Sequence, residues 1–110
     1  MIARSWSART RHADAPRYVA HARAEVFGQL AKIRGYRGAL VLAEERTADV
    51  AITVLTFWET IDAIKAFAGA DTEAAVVEPD AEAVLIDYDR RVRHFEVAAS
   101  QAVWPGLLQP

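Results

Sequence analysis

The chain of 110 residues contains no cysteine, which excludes disulfides, thiolate nucleophiles and cysteine-ligated metal or iron–sulfur centres together. No apolar run approaches the ~20 residues needed to span a bilayer, and a strand-like pattern begins at Met1 with no signal-peptide core ahead of it. A cytoplasmic protein without a membrane partner is the expectation. Lysine is scarce, two residues against eleven arginines, and these bases are scattered among 15 acidic residues to give a formal net charge of −2. That leaves no electrostatic footprint for nucleic acid. Metal-binding histidine spacings, a glycine-rich phosphate loop, a nucleophile elbow and a paired-carboxylate signature are all missing, so no metal, nucleotide or flavin cofactor is implied.

What is present is ordinary globular material, 53% apolar and 25% charged. At this length it makes one domain around one core. "MIARSWSART" alternates, with Ile2, Arg4, Trp6 and Ala8 on one face, and reads as a first strand. Asp14 followed by Pro16 starts a helix that is expected to reach Gly35, with Val19, Ala22, Val26, Leu30 and Ile33 as its apolar stripe. "YRGALVLAEER" and "VAITVLTFW" form a hairpin, and "ETIDAIKAFAG" a second helix stopped by Gly69. Asp71 is expected to cap a further short helix over "TEAAVV", which Pro79 ends. "AVLIDYDRRVRHFEVAA" is a fourth strand, and residues 99–110 form a tail too rich in glycine and proline for another element.

The order strand, helix, strand, strand, helix, strand is the ferredoxin-like βαββαβ arrangement, an α+β fold with a four-stranded antiparallel sheet over residues 1–98. Connection rules place the first and last strands side by side and both helices on one sheet face. In "VAITVLTFW" both alternating sets are apolar, Val50, Ile52 and Val54 against Ala51, Leu55 and Phe57, so the other sheet face needs a cover too. The economical cover is a second copy of the chain, a homodimer whose two sheets pack into a barrel.

The basic cluster "DRRVRHFEV" divides by alternation: Arg91, Arg93 and Phe95 fall on one face, and Arg90, Val92, His94 and Glu96 on the other. It is therefore not a patch.

"MIARSWSART", "LTFWETIDAIKAFAG" and "RRVRHFEV", in this order and spacing, resemble the antibiotic biosynthesis monooxygenase family of dimeric α+β barrels, over residues 1 to 98. The resemblance implies either a cofactor-independent oxygenase acting on a small aromatic or polyketide-type molecule, a haem-degrading enzyme, or a non-catalytic ligand-binding or regulatory dimer. The haem pattern of the superfamily fails at all three positions: Ser5 stands where an asparagine would fall, Phe67 near the tryptophan and Val77 near the histidine. Haem binding survives only with atypical ligation. The oxygenase reading requires an apolar cavity with aromatic walls, a base, and a cation or donor for the developing oxyanion.

Each candidate residue carries a functional and a structural reading. His94 is a base for a phenolic proton, or a histidine bonded within its own fold. Trp58 walls the pocket and donates its indole N–H to substrate, or is a core aromatic at a strand end. Arg4 pairs with an anionic substrate, or with a carboxylate across the dimer. Trp6, Tyr18, Phe67 and Tyr88 are candidates for substrate contact or for packing. His12 and His21 read as solvated.

Overall fold

In the computed structural model, which describes residues 1–101, the alternating segments build one antiparallel sheet. β1 spans Ile2–Thr10, β2 Tyr36–Glu45 and β3 Val50–Trp58, followed by two short strands, β4 (Asp87–Tyr88) and β5 (Arg93–Glu96). The order across the sheet is β2, β3, β1 and then β4, with β5 also paired to β1. This is the ferredoxin-like α+β topology, with the first and last strands in sequence adjacent as the connection rules require.

The single fourth strand expected from "AVLIDYDRRVRHFEVAA" is instead split, giving five strands. Between Ala8 and Ser5 the central strand takes three steps, while the chain opposite takes five from Tyr88 to Arg93. The two surplus residues leave the ladder as a bulge and bond elsewhere, with Ala74 bridging Arg91 and the Val92 N–H donating to the Glu73 carbonyl. An even surplus preserves which face each side chain takes. Val92 and His94 therefore stay together on one face, as alternation predicted; that face is shared with Arg4, which His94 lies directly opposite in the register.

The helices α1 (Ala15–His21) and α2 (Phe27–Leu30) are joined by a π turn over Ala22–Val26, and α3 (Ile61–Ala68) and α4 (Pro79–Glu82) follow. The first helical run ends at Leu30 rather than at Gly35, and the Asp14 side chain makes no cap bond. Its buried side chains are Tyr18, Ala22 and Leu30, with Val26 partly buried, so the stripe begins at Tyr18 and not at Val19. Steps of four over-rotate by roughly 40° each on a regular α-helix, which advances ~100° per residue. The wider π turn takes up that excess and keeps the stripe on the sheet. Gly35, at φ 93°, closes the turn into β2 where a Cβ would stand 2.7 Å from that of Ala63. No other residue fits there.

Thr60 caps α3 by accepting from the Ala63 N–H at 3.1 Å, and Gly69 ends it as expected. The helix expected over "TEAAVV" does not form. Asp71 pairs with Arg91 instead, and Pro79 opens α4 rather than ending a helix. Residues 69–78 are an irregular strap along the sheet edge, and the tail is described only to residue 101.

All helices cover one sheet face. The core there comprises Ala8, Tyr18, Ala22, Val50, Ile52, Ala81 and Val84 at one end and Leu30, Trp58 and Ile64 at the other. On the opposite face lie Leu40, Leu55, Phe57 and the exposed Leu42 and Phe95. Among the described residues no helix is long and apolar enough to cross a membrane.

Candidate functional site

Between the two core clusters the sheet and helices separate to leave a small cavity of about 70 Å³ that opens to solvent. Its floor is Arg4 and Trp6 from β1, Val54 and Thr56 from β3, and Val92 from the bulge. Tyr18, His21, Val26 and Leu30 close it from the first helical run, and Phe67 from α3. The strap and α4 complete the wall with Val76, Val77, Glu78 and Ala81. The lining is mostly apolar with a few polar groups, as a binding site requires.

Arg4 is the unusual member. It is only 4% exposed, yet it meets no carboxylate among the described residues. Its guanidinium donates to the carbonyls of Thr72 and Ala74 (2.7 Å to the latter) and to His94 Nε2 at 3.1 Å. The first two bonds tie β1 to the strap and the third ties it to β5, and together they use three of the five N–H donors of an arginine. Burial lowers its pKa to about 10, so it remains cationic at pH 7. The guanidinium also stands 5.7 Å from the centre of the Phe67 ring, a favourable cation–π placement.

His94 is not on the cavity wall. Its Nε2 accepts from a cation, which requires a neutral ring carrying its proton on Nδ1. Partial burial and then the Arg4 charge push its pKa down, against the opposing pull of Glu73. That lone pair is engaged by Arg4.

Trp58 is likewise off the cavity. It is fully buried, stacked on Phe67 at 5.9 Å and edge-on to Tyr36 at 5.4 Å. Its indole N–H donates to the Thr56 hydroxyl at 2.8 Å, so no donor is left for a ligand. The tryptophan fixes two wall residues from behind. Tyr88 also stands in a second layer, 6.1 Å from Trp6, with Arg90 over its ring. Trp6, Tyr18 and Phe67 do line the cavity. Trp6 is locked by its N–H bond to the Asp89 carbonyl at 2.8 Å, and burial pushes the Tyr18 hydroxyl up to about 12.

Among solved structures, the chain matches one from Bacillus cereus that is provisionally described as an antibiotic biosynthesis monooxygenase. The two share 19% identity with a TM-score of 0.68, over 94% of this chain and 97% of that one. The chain has the antibiotic biosynthesis monooxygenase fold. No family model matches it, and no curated protein matches it.

Of the residues that the sequence singled out, Arg4, Trp6, Tyr18 and Phe67 line the cavity, and His21 and Thr56 line it as well. Thr56 had a legible signal, since it shares the strand face of Val54 and Trp58. His21 was set aside because a straight α-helix turns it from the stripe. The π turn that begins at the next residue was not visible in the pattern. At the sheet edge Arg91 of the basic cluster pairs with Asp71 at 2.7 Å and with Glu73 at 3.4 Å, and Arg9 of β1 pairs with Asp87 and Asp49. Among the described residues, no group of three or more histidines and carboxylates is arranged to hold a metal.

Proposed function

We propose that the protein is a cofactor-independent monooxygenase acting on a small aromatic phenol or anthrone-type molecule held in this cavity. The observation that carries the reading is Arg4, a buried cation without a carboxylate partner on the wall of an apolar, aromatic-lined cavity. An apolar ligand whose oxygen becomes negative is the species such a wall favours. For an anthrone-type methylene the balanced conversion is CH2 plus O2 to C=O plus H2O. Dioxygen provides the carbonyl oxygen and is otherwise reduced to water. The carbanion or phenolate formed first carries its charge on an oxygen, and the two remaining N–H donors of Arg4 are available to it. His94 and the Thr72 and Ala74 carbonyls hold the guanidinium in place. Trp6, Tyr18 and Phe67 wall the ring system, and Trp58 supports Phe67 and Thr56 from behind.

The working unit in this reading is a homodimer, formed by the uncovered sheet face of Leu40, Leu42, Leu55 and Phe95 against a second copy. An apolar patch of that kind is unusual on a monomer.

Oxygen uptake by the purified protein with a panel of anthrones and quinols is the test. Uptake above buffer that falls about 10²- to 10³-fold in Arg4→Met, the usual loss for a missing oxyanion donor, supports the assignment. Absence of uptake across the panel refutes it and leaves the second reading, a ligand-binding dimer without turnover. The engagement of His94 Nε2 by Arg4 favours that second reading, since it removes the base expected from the sequence.

A further inference from the structure

His21 Nε2 is buried and has no hydrogen-bond partner, and it is the single such side-chain atom among the described residues. A buried polar atom left in this condition is destabilising, and nearly all such atoms in folded proteins are satisfied. The side chain lines the cavity that holds Arg4. The other two histidines are engaged: His12 Nε2 with the Arg46 carbonyl at 2.7 Å, and His94 with Arg4. His21 is also the last residue before the π turn Ala22–Val26. Single π turns inside α-helices are frequent at functional sites.

We propose that His21 accepts the hydroxyl hydrogen of a phenolic ligand whose oxygen faces Arg4, and that the cavity therefore selects phenols over their O-alkyl ethers. The inference rests on reading this cavity as the ligand site. One hydroxyl group serves both residues, because its oxygen accepts from the guanidinium while its hydrogen goes to the imidazole. An ether keeps the acceptor and loses the donor. It leaves His21 Nε2 as orphaned as in the empty cavity, and adds a methyl group where the imidazole stands. Tyr18 and Glu78 are the other ionisable groups on the wall. Burial holds the Tyr18 hydroxyl in its neutral form, and Glu78 is the last residue of the strap, at the N-cap position of α4.

The probes are 4-cyanophenol and its methyl ether, with affinities measured by calorimetry. The wild-type protein is expected to bind the phenol about tenfold more tightly, the discrimination that a hydrogen bond to a buried, otherwise unsatisfied group provides. That ratio is expected to collapse towards one in His21→Phe and to persist in His12→Gln. In the unmutated protein, the His21 ring resonances are expected to shift with the phenol and not with the ether. Equal affinities in the wild type, an unchanged ratio in His21→Phe, or a His21 ring indifferent to the phenol each overturns the assignment. The ring resonances decide the matter even if His21→Phe does not fold. Failure of oxygen uptake would refute the monooxygenase reading and leave this one standing, whereas oxygen uptake with an unchanged ratio would do the reverse.

Discussion

Replacing Trp58 by phenylalanine separates packing from ligand contact. The indole is fully buried among Leu30, Ile64, Tyr36 and Phe67, and its N–H bonds Thr56 at 2.8 Å. Losing that hydrogen bond costs about 1 kcal/mol. The missing ring atoms are comparable to about two methylenes at ~0.8 kcal/mol each. The sum is about 2.5 kcal/mol, and at ~4–8 °C per kcal/mol for a domain near this size, the melting temperature should fall by about 10–20 °C. Because the side chain contributes no atom to the cavity wall, affinity for 4-cyanophenol should change by less than about threefold, under 1 kcal/mol. Urea melts with equal m-values, paired with calorimetric titration of the folded variant, measure both quantities. A variant of near wild-type stability that loses tenfold or more in affinity would refute this reasoning and restore Trp58 to the wall.

Three further outcomes are expected. The pKa of His94 is lowered on folding, so its contribution to stability is complete above its unfolded value of ~6.5. It is lost as pH falls through the lower folded value; His94→Gln should flatten that part of the pH–stability curve, and an unchanged slope would mean that Arg4 is held without it. Asp49 is buried between Arg46 and Arg9 at the turn of the β2–β3 hairpin, and these partners depress its pKa. Asp49→Asn should destabilise the protein at neutral pH, with the difference from wild type shrinking as acid takes the pH below ~4, as thermal melts across pH will report. Leu42→Asp should shift the protein from dimer to monomer in sedimentation equilibrium, and a wild-type protein that is already monomeric would remove the homodimer.

The sequence alone carried the architecture. Strict alternation in β1 and β3 placed Arg4, Trp6, Val54 and Thr56 on one face, because a side-chain period of two leaves no freedom once one face is buried. Helical spacing and the stop at Gly69 did the same for α3 and Phe67. The double-sided apolar pattern of β3 likewise marked a sheet face without a cover in the chain itself.

Tertiary structure decided what alternation does not encode. Connection rules put the first and last strands side by side, but only the register set His94 opposite Arg4, and only the three-dimensional bonding showed the imidazole turned to the guanidinium instead of the cavity. The bulge over residues 89–92 and the strap it holds arise from contacts between segments about twenty residues apart, which no local period reports. His21 is the clearest case. Its place in the helix is local, but the π turn that faces it inward follows from the four-residue stripe having to stay on the sheet, a constraint that exists only once helix and sheet are packed together.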